Sequence, residues 1–212
     1  ARFEYQVLQN GQQHSVRTLE ELNNLNAEDE GREREDGLQR ERIGIEKKVK
    51  REPAPELTSS VKSIRLNQKG VSYESLFGDY LKTARKIIVV DPFIRHPYQV
   101  ANFMEFVQCA RRCSEHAEEL VIHLSTQNDE DKIPEMIDIF DDIKDDLSEH
   151  GIEFSYDFNA DHDRYIDLDN GWIISLGRGL DIYDKVGRFS LDALCQTDRR
   201  CKEFNVAYNR KG

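Results

Sequence analysis

Residues 86–96 read Lys86-Ile87-Ile88-Val89-Val90-Asp91-Pro92-Phe93-Ile94-Arg95-His96. The continuous apolar run Lys86–Val90 is the kind that becomes a buried parallel strand, because a strand covered by its neighbours loses polar alternation. From about Tyr98 to Cys113, Val100, Phe103, Val107 and Ala110 recur at helical spacing. Leu120-Val121-Ile122-His123-Leu124 is a second apolar run. Within it, His123 is expected to be a hydrogen-bonded core residue.

The same alternation of elements continues on both sides. Upstream, Ser72 is placed to cap a helix whose Tyr73, Leu76, Phe77, Tyr80 and Leu81 share one stripe. Downstream, Ile133, Ile137, Phe140, Ile143 and Leu147 trace an apolar stripe, with Pro134 in the first turn and His150-Gly151 as the stop. Ile152–Tyr156 reads as a third strand. His162–Leu168 and Trp172–Leu176 flank the turn signal Asp169-Asn170-Gly171, and Phe204–Tyr208 reads as a last strand. Strand, helix, strand, helix and then strands define an α/β fold over 61–212, a mixed sheet flanked by helices.

The first 60 residues are different. Phe3–Leu8 and His14–Arg17 bracket Asn10-Gly11 as a hairpin, and Thr18 with Glu21 forms a capping pair for a short helix. This small unit, 1–26, buries too little to stand alone and is expected to be the remnant of an upstream region. Residues 27–60 read as a charged linker: ten acids and eight bases fall between Ala27 and Glu56. Such composition cannot offset the entropy of ordering. An unknown protein partner is expected to engage residues 1–56.

Net charge is −11, which argues against a protein that coats nucleic acid, so nucleic acid is a disfavoured ligand. The charge is uneven. Residues 129–149 hold ten acids against Lys132 and Lys144, whereas 164–211 hold nine bases against seven acids. No apolar run is long enough to span a bilayer, and Ala1-Arg2-Phe3-Glu4 is not a signal peptide. The missing initiator Met suggests a piece of a longer, cytoplasmic protein. Cys109-x3-Cys113 and Cys195-x5-Cys201 read as reduced thiols, and neither spacing is the close type common in zinc sites. No metal or cofactor is expected.

The chemistry concentrates in His162-Asp163-Arg164-Tyr165-Ile166-Asp167-Leu168-Asp169. On a strand, His162 and Arg164 would share a face. An imidazole beside a guanidinium suits a phosphate group: arginine offers a bidentate fork, and histidine can transfer a proton or attack phosphorus. A purely structural role is open for each residue. Asp169 opens a hairpin turn, His162 could be a hydrogen-bonded strand histidine, and Arg164 could pair with Asp91, Asp167 or Asp181. Arg95 and His96 lie just beyond a strand end, where α/β sheets place ligands. Arg178, between Gly177 and Gly179, sits on a tight turn from which it could reach an anion.

These residues carry a resemblance. His162-x-Arg164-x4-Asp169, with Gly177-Arg178-Gly179-Leu180 at the following turn, resembles the His-x-Lys-x4-Asp and Gly-Ser-x-Asn pattern of phospholipase D-like enzymes. Tyr73-Glu74-Ser75-Leu76-Phe77, Asp91–His96, Asn170-Gly171-Trp172 and Arg188-Phe189-Ser190-Leu191 further resemble the phospholipase D-like domain at the C-terminus of proteins with a microtubule-interacting-and-trafficking (MIT) domain. That resemblance implies a phospholipase D-like fold, a homodimer, and peripheral binding to anionic phospholipid membranes, with His162, Arg164, Arg178, Arg95 and His96 as phosphate ligands. Two departures bear on catalysis: Arg164 stands for the lysine, and Arg178 and Leu180 replace the small polar residues of the turn. Phosphodiesterase chemistry through His162, Arg164 and Asp169 is the alternative. With one motif per chain, its second histidine must come from a symmetry mate. A further alternative is an adaptor domain of a larger ATPase- or protease-type machine.

Overall fold

The computed structural model describes residues 5–9, 12–16, 57–187 and 189–212. The chain forms two compact units, 1–54 and 55–212. In the first, β1 (Tyr5–Gln9) pairs antiparallel with β2 (Gln12–Val16), Gln9 facing Gln12. The Asn10-Gly11 turn, the Thr18 helix and the charged segment up to Glu56 lie outside the described residues.

The second unit runs β3 (Ser60–Ile64), α1 (Tyr73–Leu81), β4 (Lys86–Val90), α2 (Pro97–Cys113), β5 (Val121–Ser125), α3 (Ile133–Glu149), β6 (Glu153–Asp157), β7 (Tyr165–Leu168), β8 (Trp172–Leu176) and β9 (Phe204–Arg210). Two short 3-10 turns, Leu191–Leu194 and Gln196–Asp198, lie between β8 and β9. One seven-stranded mixed sheet has the order β3-β9-β8-β7-β4-β5-β6. β4, β5 and β6 are parallel, and every other pairing is antiparallel.

Local hydrogen bonding fixes the starts of α1 and α2. Ser72 and Ser75 form a reciprocal capping box at α1: the Ser75 N–H donates to Ser72 Oγ (3.1 Å) and the Ser72 N–H to Ser75 Oγ (2.9 Å). All five stripe residues of α1 are buried. At α2, Gln99 Oε1 accepts from the N–H groups of both Arg95 and His96, and Pro97 needs no acceptor. The stripe of α3 is narrower than its sequence implies. Met136, Phe140 and Leu147 are buried, but Ile137 stays 37% exposed because α3 covers only the edge of the sheet at β6.

All three helices lie on one face of the sheet. The Tyr80 ring of α1 sits 5.0 Å from Trp172 and 4.5 Å from Tyr208; Phe103 of α2 lies 5.6 Å, and Phe140 of α3 6.4 Å, from Phe154. The register puts these sheet residues on the same side as Ile87, Ile122 and Leu168, within one continuous core. Burying each large apolar side chain contributes roughly 1.5–3 kcal/mol. On the other face Ile88, Tyr165, Ile173 and Ser175 are half-exposed, and no described helix covers them. His123 belongs to this open face rather than to the core. Its ring is satisfied by Ser155 Oγ (2.9 Å) and Asp157 Oδ2 (3.0 Å). The burial of Ile122 and Leu124 on either side disguised that alternation in the sequence.

Candidate functional site

The ends of β4, β5 and β6 align through Val90, Ser125 and Asp157, and β7 begins beside them with Tyr165 opposite Val90. At this edge Asp91 is buried, accepting from the N–H groups of Phe93 (3.1 Å) and Leu180 (3.0 Å). Burial pushes its carboxyl above the ordinary range. The two N–H groups and the nearby Arg164 charge pull the other way without cancelling it. Asp91 thereby ties the turn after β8 to the end of β4. Gly179 makes that approach possible: its φ is +62°, and a Cβ there would overlap Asp91 Oδ2 and lie 2.6 Å from Cγ.

β7 begins at Tyr165, so His162 and Arg164 precede the strand instead of alternating along it. They still come together. Both line a cavity of about 430 Å³, with Ser175 and Gly177 from the end of β8 and Asn205 from β9. His162 is exposed and Arg164 half-buried. Arg164 Nη1 donates to Gly177 O (2.9 Å), and the guanidinium stacks 4.3 Å from the centre of the Phe93 ring. Its shielded Nε–H has no acceptor among the described residues. Two of the candidate acidic partners are engaged elsewhere, Asp167 with Lys211 and Asp181 with Lys202 (2.8 Å). Asp91 acts on Arg164 only through its charge.

The Phe93 ring joins the two halves of the site. Arg95 packs on it too, 5.4 Å from the centroid, and is steered by Nε donation to Pro92 O (2.8 Å). Arg178 is exposed beside Gly177, its Nε donating to Glu203 O (3.0 Å). His96 points elsewhere and stacks on Tyr98 at 6.0 Å. Asp169 lies at the opposite end of β7 from His162, where it accepts the Arg85 N–H (3.0 Å). Beside it, Asn170 donates to Tyr80 O (2.8 Å), so this pair fastens the hairpin turn to the end of α1. Phe93 lies two residues before Arg95, but no spacing rule places its ring between two guanidinium groups that are distant in sequence.

A second groove of about 810 Å³ runs between α2 and residues 181–202, next to Tyr98. Arg199 and Glu105 meet there in a two-pronged ion pair, Nη1 to Oε2 (2.8 Å) and Nη2 to Oε1 (2.7 Å). All four cysteines are free thiols. Burial, with the neighbouring Cys113, pushes the Cys109 thiol up to about 12, which leaves it inert.

The seven-stranded mixed sheet with helices packed on it is that of a phospholipase D-like domain. Residues 70–210 match the family described as the phospholipase D-like domain at the C-terminus of MIT. The chain is also 37% identical over 147 residues to mouse (Mus musculus) MIT domain-containing protein 1. That alignment covers 68% of this chain and 58% of the mouse protein. This chain belongs to the family of phospholipase D-like domains found at the C-terminus of MIT proteins.

Proposed function

We propose that the domain recognises phosphate groups of anionic phospholipids at a membrane surface and works as a homodimer without efficient turnover. The observation that carries this reading is the edge cavity that His162 and Arg164 line together. Arg164 supports it further. A shielded N–H without an acceptor costs about 1–3 kcal/mol, a penalty that an anion in the cavity could relieve. Arg95 and Arg178 add positive charge around the same edge, while Asp169 is committed to the hairpin turn. Among the described residues no helix is long and apolar enough to cross a membrane, so the contact proposed is peripheral.

Flotation with phosphatidylcholine vesicles, with and without phosphoinositide, tests the reading. The wild-type chain is expected to float only with the anionic lipid, and Arg164→Ala to weaken recovery about tenfold, the loss of one charged hydrogen-bonding group. Equal recovery with neutral vesicles would count against it.

The uncovered sheet face is the surface assigned to the second copy. Ser175 belongs to that face and also lines the cavity, so a twofold contact there would bring two His162 side chains towards each other. Placing a charge at the half-exposed Ile173 (Ile173→Glu) is expected to convert a sedimenting dimer to monomer with the thermal midpoint nearly unchanged. An unaltered sedimentation profile would put the contact elsewhere. Hydrolysis of a generic phosphodiester by wild type but not by His162→Ala would favour the phosphodiesterase reading.

A further inference from the structure

Phe189, Leu191 and Leu194 are 96%, 81% and 83% exposed. Three large apolar side chains within six residues, projecting from a turn, are not ordinary surface scatter. They are held out by local chemistry. Ser190 Oγ accepts the Asp192 N–H (3.3 Å), starting the 3-10 turn, and Arg199 Nη2 donates to Ala193 O (2.7 Å), bracing it from the groove side.

The turn is continuous with the phosphate site. Ala193 lines the 810 Å³ groove whose opposite wall includes Tyr98, and Tyr98 stacks on His96. His96 adjoins Arg95, which shares the Phe93 ring with Arg164. Phe93 is itself 39% exposed. A run of aromatic and basic groups, with Asp181 and Asp184 in the intervening groove, therefore leads from the cavity to the turn.

Charge decides what covers it. Lys185 and Arg200 are exposed on either side of the turn, and Lys69 pairs with Asp192 beneath it. The contact of Gly70 with Thr197 places this segment over the β3–β9 side of the sheet. Seven of the ten acids of residues 129–149 sit on α3 and the other three just before it, at the opposite edge over β6. Apolar tips flanked by Lys185 and Arg200, with Asp192 and Asp181 neutralised by Lys69 and Lys202 and the densest acidic run at the far edge, match the boundary between headgroups and acyl chains of an anionic leaflet. A second protein is a poorer match: three tips on one short turn fall well below the roughly 800 Å² per partner of a stable interface.

We infer that Phe189, Leu191 and Leu194 form a wedge that enters the interfacial layer of an anionic bilayer and seats the Arg164 cavity on lipid headgroups. The inference rests on the phospholipid reading above and adds to it the element that inserts. Two variants of the full chain test it: the triple Phe189→Ser, Leu191→Ser, Leu194→Ser, and the single Leu191→Trp. Because Leu191 and Leu194 are 81% and 83% exposed and Phe189 96%, the triple variant should keep an unfolding midpoint close to wild type.

With vesicles of phosphatidylcholine and phosphatidylserine, the triple variant is expected to lose binding by about tenfold or more. Its affinity for soluble glycerophosphoserine should be unchanged, whereas Arg164→Ala should lose affinity for both. Tryptophan at 191 should shift its emission to the blue when vesicles are added. Full vesicle binding by the triple variant with no shift at 191 would overturn the wedge and leave the cavity reading intact. Loss of the dimer in the triple variant would overturn it in favour of a protein contact. Failure of wild type to bind any vesicle would remove both readings.

Discussion

Alanine at position 179 is expected to destabilise the 55–212 unit by about 3 kcal/mol or more, read as a lower midpoint in chemical denaturation. Two costs combine. The left-handed backbone at φ +62° disfavours any side chain by about 1–2 kcal/mol. The new methyl group would also occupy the position of the Asp91 carboxylate, which cannot move without abandoning the Leu180 and Phe93 N–H groups it accepts from. Leaving one such buried donor without a partner costs about 1–3 kcal/mol. Gly177→Ala is the control. A Cβ there meets Asn205 O at 3.4 Å, an ordinary contact, and the change should cost under about 1 kcal/mol. Equal effects at the two positions would show that Asp91 does not bind the turn to β4 as described.

Glu105→Ala should have the next largest effect. The Arg199 side chain is only 12% exposed, and its guanidinium would remain in place without a counter-charge. Breaking a fully buried pair costs about 3–5 kcal/mol; because Glu105 is 33% exposed, water offsets part of this and about 2 kcal/mol is expected. Replacing both residues, Glu105→Ala with Arg199→Met, should cost less than Glu105→Ala alone, since no orphaned charge is left. The four unfolding free energies form a cycle whose coupling should exceed about 1 kcal/mol. Strict additivity would show that the two groups do not interact in solution.

Periodicity made much of the fold legible. Lys86–Val90 stands in the structure as read, α1 buries every residue of its stripe, and the Trp172–Leu176 strand is unchanged. Those signals are local: an apolar face repeats every 2 or 3.6 residues whatever its partner. What stayed hidden depends on partners. Ser60–Ile64 carries no strand signal in the sequence because four of its five side chains are exposed. The open sheet face was not visible either, since alternation tells two faces apart but not which one helices will cover. The expected strand from His162 starts at Tyr165, and cavity formation, not strand alternation, unites His162 with Arg164. Asp169 shows the limit of a motif: its spacing matches the enzyme pattern, while its carboxylate serves the Arg85 backbone.

The pairing of β3 with β9, Ser60 opposite Tyr208, bears on how the domain is made. A ribosome releases β3 first among these strands, yet the neighbour that completes it emerges last. Until then β8 also lacks one side of its ladder, because β9 separates it from β3. Loop closure over so long a stretch is slow, and an unpaired strand invites intermolecular pairing in the interval. Completion of this sheet therefore waits on the last of its strands, and the unit is most open to intermolecular pairing just before β9 docks.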